Sequence, residues 1–433
     1  MIFSAWIFVW LALPVLLLGE LLVRKIKILA RFNIPAPVVG GLLISLLILL
    51  ARISGVFTAE LPTKTAAPWW SWFVTTGTEW SRSPSINVHQ PLLVAFFTCI
   101  GLNASWSIAK RGSFQVLIFL LASTTLAIVQ NGVGVMLAKL LGVSPLLGIV
   151  CGSATMTGGH GTALGFAGML EGAGLKGAGV LGVAAATFGL IAGGLVGGPL
   201  GGGLIRRFGL QSSVTRDLHM EAGKTGESGI LQDFRALAGF GKVFLLHLML
   251  VIACLKIGAW ISYILQQPFH LGGRDFKLTF PVYMGAMILG LLIRNLVDIS
   301  GARLIKTEVV DTLSSVSLGL FLAIAMMSLN LLELASAAVP MLVIVSVQVI
   351  LVILFAWFVT FRIMGKDFDA AIMAGGHCGF GLGATSSAVA NMKSLVETFG
   401  PAPRAFLVVP IVGGFLIDIF NAMNITFFVN LVK

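Results

Sequence analysis

The chain has 433 residues, 57% of them hydrophobic and 10% charged, with a mean hydropathy of +1.01. A soluble domain carries about 25% charged residues, so a single water-soluble core is excluded. The net charge of +11, from 28 Lys and Arg against 17 Asp and Glu, reports membrane orientation in so apolar a chain, and no nucleic-acid partner is expected.

A helix crosses the bilayer core with about 20 apolar residues. Charge-poor runs of that order predict ten spans, at 3–22, 35–51, 91–109, 113–138, 177–205, 243–265, 278–293, 312–332, 337–361 and 404–430. The first run precedes its basic residues, Arg24, Lys25, Lys27 and Arg31, whereas a cleaved signal carries them in front; it is expected to stay as a span. Placing that basic cluster in the cytoplasm and alternating sides puts 19 Lys and Arg inside and eight outside, with Lys256 within a span; both termini are then expected outside the cytoplasm. The insertion at 54–90, with Trp69, Trp70, Trp72 and Trp80, falls outside, where it can rest on the membrane interface. Cys99, Cys151, Cys254 and Cys378 stand singly in apolar stretches, which argues against disulfides or zinc.

Between Gly148 and Gly203 lie 20 glycines in 56 residues, a density at which a lone straight helix loses about 1 kcal/mol per Gly relative to Ala. Gly193, Gly194, Gly197, Gly198 and Gly202 place small residues four apart, as in a closely packed span. Ser153 to Thr162 interleaves hydroxyls with consecutive glycines and reads as unwound backbone. Gly375 to Ser387 is its counterpart in the second half of the chain. Each segment lies between the fourth and fifth spans of its half, with arms too short for two crossings, so each is expected to be a re-entrant loop, one entering from either side.

Weak matches recur in order along the chain: Pro37-Val38 with Pro281-Val282, Leu102-Asn103 with Leu329-Asn330, Val129-Gln130 with Val347-Gln348, Gly159-His160 with Gly376-His377, and Val196-Gly197-Gly198 with Val412-Gly413-Gly414. Each half holds five spans, an odd number, so the second copy enters the membrane inverted. The expected fold is an all-α polytopic membrane protein. It has an N-terminal half at 1–205 with a re-entrant loop at about 145–175, a cytoplasmic linker at 206–242, and a C-terminal half at 243–433 with a re-entrant loop at about 369–395.

Unwound backbone in hydrocarbon is tolerated only where it is buried in protein or lines a wet cavity. The short helices leaving each tip would aim free N–H groups at one volume, with Thr162, Thr385, Ser386 and Ser387 adding hydroxyls, an arrangement suited to an anion. The alternatives for the Gly379–Gly383 run are a tight turn or a nucleotide loop, and the latter needs strand–helix alternation that is absent. No Arg lies deep in a predicted span, so the anion is expected to travel with cations. Asp418, with Asn421 and Asn424 on the next turn, is the mid-span carboxylate expected to hold a cation or proton. Asn103, Gln130, Asn131, Asn330 and Gln348 are expected to make interhelical hydrogen bonds. His160 and His377 have no adjacent Cys, Asp or Glu, so neutral hydrogen-bonded imidazoles are expected in place of metal ligands.

Several stretches carry a family resemblance: Ile34-Pro35-Ala36-Pro37-Val38-Val39-Gly40-Gly41, Ile100-Gly101-Leu102-Asn103, Gly158-Gly159-His160-Gly161-Thr162, Gly376-His377-Cys378-Gly379-Phe380-Gly381-Leu382-Gly383-Ala384-Thr385, and Ile417-Asp418-Ile419. On these the chain resembles the bacterial sodium/glutamate symporter family over nearly its whole length. It departs from the family pattern at Ser386-Ser387, where a Pro-Thr pair is expected, and in the length of the Trp-rich insertion. The resemblance implies a homodimer in the bacterial cytoplasmic membrane and uptake of L-glutamate coupled to Na+, with no organic cofactor and no enzymatic activity. It carries functional glycines onto Gly158, Gly159, Gly161, Gly379, Gly381 and Gly383. The substrate site is then expected at Gly158, Gly159, His160, Gly161, Thr162, Gly379, Gly381, Gly383, Thr385, Ser386 and Ser387, and the sodium site at Asp418 and Asn421. A carrier of another small dicarboxylate or amino-acid anion, or an ion channel with paired loops, is the alternative.

Overall fold

Hydrophobic runs of this length have one stable form away from water, the helix, because it pairs its own backbone groups. The computed structural model describes residues 4–31, 34–54, 63–77, 85–105, 113–212, 230–267, 269–271, 274–276, 281–302, 304–329, 331 and 337–432, and within these the chain is predominantly helical. Asn330 and Trp80 lie outside the described residues. A helix stands at each predicted span: α1 Trp6–Lys25, α2 Ala36–Ile53, α3 Gln90–Asn103, α4 Ser113–Leu140, α5 Ala178–Phe208, α6 Lys242–Leu265, α7 Met284–Ser300, α8 Thr307–Met327, α9 Ala338–Phe355 continuing through a π-turn to Ile363, and the bent pair α10 Pro403–Ile411 and α11 Ile417–Val432. Among the described residues seven helices are long and apolar enough to cross a bilayer, and the pair bent by 42° near Gly414 makes an eighth; α3, at 14 residues, is shorter. The strands among the described residues are two short antiparallel pairs, Lys64–Thr65 with Ile86–Asn87 and Phe269–Leu271 with Arg274–Phe276. This is an all-α multi-pass membrane protein.

The helices pack into two compact units, each drawing on both halves of the sequence. Unit 1 comprises Met1–Lys27, Pro35–Trp106 and Ser228–Leu332; unit 2 comprises Ile28–Ile34, Ser107–Glu227 and Glu333–Lys433. In unit 1, α3 and α7 approach backbone to backbone, and a Cβ on Gly101 would collide with the Met287 carbonyl. Beside that crossing the Phe97 and Tyr283 rings stack at 3.7 Å, and Ser45 Oγ donates to the Met326 carbonyl at 3.0 Å. Small residues at such crossings let dispersion do what hydrophobicity cannot do in lipid.

Three details differ from the sequence reading. The seventh span runs on to Ser300 instead of ending at 293, which carries Arg294 into a helix, buried, with Asp298 one turn away at 3.2 Å. An i,i+4 ion pair extends a helix past the point where hydropathy stops. The 206–242 linker holds an amphipathic helix, Ile230–Gly239, whose Asp233 accepts the Ser315 hydroxyl at 2.7 Å; residues 213–229 lie outside the described residues. The glycines of 375–381 are helical, and only Leu382–Ala384 break the path.

The Trp-rich insertion docks within unit 1. Trp69 stacks on Trp6 at 5.0 Å, and Lys256 of α6 donates to three carbonyl oxygens, of Trp72 at 3.0 Å, Thr75 at 2.8 Å and Gly77 at 2.6 Å, with its ammonium 4.4 Å from the Trp72 ring. A lysine inside an apolar helix is stable only when all three N–H groups are met, and here they are. Replacing Lys256 with Met keeps the stem and strands the carbonyls. It is expected to lower the unfolding free energy in detergent by about 2 kcal/mol; a thermal melt that matches the parent's rules the clamp out.

Candidate functional site

Besides the bend between α10 and α11, the described residues of unit 2 contain a helix break in each half of the chain. In the first half, Pro145–Ile149 passes into a π-turn, Val150–Ala154, in which Gly152 leaves helical geometry at φ −91° and ψ −137°. Thr155–Gly158 turn, and a new helix runs over Gly159–Gly172. In the second half, Phe368–Gly381 and Thr385–Phe399 flank Leu382–Ala384. No side chain caps the N-terminus of either Gly159–Gly172 or Thr385–Phe399; the Thr155 carbonyl accepts the Gly159 N–H at 2.9 Å, and the N–H groups that follow in each first turn have no intrahelical acceptor.

The two breaks meet. Gly159 has φ +64°, and a Cβ there would strike the Gly383 carbonyl; Gly383 itself has φ +152° and lies 3.0 Å from Leu190 Cα of α5, measured from where its Cβ would stand. Both positions therefore require glycine for backbone conformation and for space. Gly379 packs against the Ala388 backbone, closing the two arms of the second break on each other. Gly381 contributes its carbonyl, which accepts from Gln130 Nε2 at 2.9 Å.

That contact is the centre of the site. Gln130, buried on α4, accepts the Thr157 hydroxyl of the first break at 2.7 Å while donating to Gly381 of the second. Its own carbonyl accepts from Gln348 Nε2 of α9 at 2.7 Å. One amide thus satisfies polar groups of both breaks, and the glutamine beneath it comes from the matching position of the other half. The predicted interhelical role of Gln130, Asn131 and Gln348 holds, and Asn103 plays it in unit 1, donating to Asp311 at 2.7 Å.

All of the predicted site residues fall in unit 2. His160 is buried, with Nε2 2.9 Å from Thr187 Oγ1. Thr187 spends its one proton on the Val183 carbonyl, so the imidazole is the donor, which fixes a proton on Nε2. Gly158 and Gly161 are half-buried beside the buried Thr162. Thr385 donates to the Gly413 carbonyl, Ser386 is half-buried, and Ser387 Oγ is buried with no partner among the described residues. His377 stands apart from the breaks' free N–H groups: Thr360 Oγ1 lies 2.8 Å from Nδ1, and the rings of Phe119, Phe355 and Phe380 surround the imidazole.

Asp418 opens α11, half-buried, and makes no hydrogen bond or ion pair among the described residues. Asn421, one turn on, donates to the Ser153 carbonyl at 3.0 Å, and its Oδ1 is buried without a partner among the described residues. No group of three or more His, Cys, Asp and Glu suited to a metal occurs among the described residues. What the arrangement offers is chemically specific: two uncapped helix N-termini for negative charge, no Lys or Arg in either break, and buried neutral oxygens nearby.

The sequence reading missed the joint role of Gln130 and the place of Ser153. The repeat had already paired Gln130 with Gln348, which was the available signal.

The family model described as "Sodium/glutamate symporter" matches residues 1–401. A protein of Escherichia coli (strain K12) named sodium/glutamate symporter is 38% identical over 426 residues, 96% of this chain and 95% of the relative. The protein of that name from Haemophilus influenzae is 34% identical over 431 residues, 97% of this chain and 96% of the relative.

The bridge makes Gln130→Ala informative. The variant leaves Thr157 Oγ1 and the Gly381 carbonyl unpaired, and it is expected to lose most transport at any substrate concentration; Gln130→Glu, which cannot donate to Gly381, is expected to follow it. Initial uptake rates check this, and an alanine variant with the parent's rate would show that the bridge carries no function. Gly159→Ala, which puts a methyl group at φ +64°, is expected to cost about 1–2 kcal/mol for the left-handed backbone alone, read as a lower melting temperature with uptake lost.

Proposed function

The chain belongs to the sodium/glutamate symporter family, and on that premise we propose that it is a secondary active transporter taking up L-glutamate with Na+ by alternating access. The observation that carries the proposal is the meeting of the two breaks, one from each half, in a single unit with both helix N-termini uncapped. A dicarboxylate has two negative groups to neutralise, and two helix ends are on offer where no cationic side chain is. We assign the substrate to the backbone N–H groups of His160, Gly161 and Thr162 and of Thr385, Ser386 and Ser387, with Gly158 and Gly159, whose own N–H groups are met by the Ser153 and Thr155 carbonyls, shaping the first end. In this reading Gly379, Gly381 and Gly383 hold the second end in place.

The architecture proposed with it is ten spans in two inverted halves, each break entering the bilayer and returning. Its support is the helix at every predicted span and the brevity of the arms, none longer than 15 residues. The basic residues support termini outside the cytoplasm of a bacterial inner membrane. The homodimer is proposed on the family likeness.

An anion at the breaks needs counter-charge, and coupled Na+ supplies it. Asp418 and Asn421 are proposed for that ion: the carboxylate is unpaired among the described residues and stands one turn from the unpartnered amide oxygen. The ion and the anion bring opposite charges into one unit, so each lowers the electrostatic cost of binding the other, which is the physical basis for coupling.

Glutamate uptake into proteoliposomes is expected to rise steeply with an inward Na+ gradient and to show counterflow with internal glutamate. Uptake indifferent to sodium sinks the coupling, and non-saturating flux without exchange identifies a channel instead. Asp418→Asn is expected to abolish sodium stimulation while leaving the fold intact; normal sodium dependence in that variant removes Asp418 from the mechanism. Competition by other dicarboxylates more effective than glutamate would reassign the substrate.

A further inference from the structure

Ser153 lies within the first break, directly after the non-helical Gly152, and each of its polar groups is held by a different asparagine. Its N–H donates to Asn131 Oδ1 at 2.9 Å, its carbonyl accepts from Asn421 Nδ2 at 3.0 Å, and its hydroxyl accepts from Asn424 Nδ2 at 3.2 Å. Ser153 and Asn131 are 0% exposed, Asn421 1% and Asn424 8%. The carbonyl of Ser153 also accepts the Gly158 N–H at 2.9 Å, at the mouth of the Gly159–Gly172 helix.

The inventory does not close. Asn421 Oδ1 and Asn131 Nδ2 are buried with no partner among the described residues, although buried amide atoms are almost always paired. An asparagine amide exchanges its oxygen and nitrogen by turning over about its last torsion. Turned over, Asn421 would bring Oδ1 against the Ser153 carbonyl, two oxygens face to face, which is repulsive unless a cation sits between them. Asn424 meets the Ser153 hydroxyl in the same way, and a hydroxyl tolerates either end of an amide because it both donates and accepts.

We propose that Na+ binds at Ser153, held by the carbonyl and hydroxyl of Ser153 and the turned-over side-chain oxygens of Asn421 and Asn424, so that the hydrogen bonds seen here are the ion-free arrangement of the site. The inference rests on the sodium-coupled reading above and deepens it. Hard cations take oxygen ligands, and this node gathers them in a place closed to bulk water. Asp418, one turn before Asn421, supplies the negative charge that balances the ion. The ion takes the lone pair released by Asn421 Nδ2 and leaves the Gly158 N–H bonded to the other. Sodium binding therefore sets the position of the helix end assigned to substrate, and the two solutes are coupled through one carbonyl.

The test compares full-length Asn421→Ala, Asn421→Asp and Ser153→Ala in proteoliposomes and by thermal melting in detergent, titrating NaCl against choline chloride. Asn421→Ala and Ser153→Ala are expected to raise the half-saturating sodium concentration at least about tenfold, with the glutamate KM at saturating sodium near the parent's. Asn421→Asp removes the N–H donor but supplies a better cation ligand, so it is expected to be stabilised by sodium at least as strongly as the parent. If the amide serves only to hold the Ser153 carbonyl, the aspartate variant fails as badly as the alanine one with or without sodium, and the proposal is overturned. It is equally overturned if both alanine variants keep the parent's sodium half-saturation. A parent protein whose uptake ignores sodium is a different result, since it overturns the symport reading itself.

Discussion

A helix that stops in an apolar environment leaves backbone groups that water cannot reach, and each must find a partner or be given a ligand. In unit 2 this constraint applies twice within a small volume, and the protein meets it with side-chain amides. Gln130 serves one group from each break, Asn131 takes the Ser153 N–H, and Asn391 Nδ2 donates to the Gly193 carbonyl at 2.9 Å. Amides suit the task because each carries both a donor and an acceptor without a charge that would need burying. At the first helix start the Ser153 and Thr155 carbonyls take the Gly158 and Gly159 N–H groups, and no side chain caps the first turn of either helix.

Satisfying the breaks locally depends on backbones coming closer than side chains ordinarily allow. Helix α5 provides this with glycine on the face that meets the second break: a Cβ on Gly189 would press on the Leu382 carbonyl, and one on Gly197 on the Asn391 amide and the Gly375 carbonyl. The glycine-rich composition and the polar interior are thus two sides of one solution. Glycine allows the approach, and the approach makes hydrogen bonds across helices short enough to matter.

Much of this was legible beforehand. The positions of the apolar helices were, because apolar length is a direct requirement of bilayer thickness, and seven or eight of those described are long enough to cross. The breaks were, because consecutive glycines with hydroxyls are a poor helix anywhere. The second break was drawn too wide, since Gly375, Gly376, Gly379 and Gly381 are helical; glycine in a helix marks close packing as well as unwinding, and a single chain does not say which. The end of α7 was drawn too short because hydropathy discounts Arg294, whose charge is met by Asp298. The node at Ser153 was not legible at all. It joins positions 268 residues apart, and no local pattern marks a serine that three asparagines will surround.

That same separation bears on how the molecule comes into being. Neither compact unit is contiguous: unit 2 opens near the N-terminus and is completed only by the last hundred or so residues. During synthesis the first broken segment emerges long before Asn421 exists to receive it, so its polar atoms lack this native partner until the chain is nearly complete. Contacts of such long range form late and slowly. A ribosome stalled before the final helices would therefore leave a chain with its apolar segments made and its polar interior unassembled, a species that quality-control proteases are equipped to recognise.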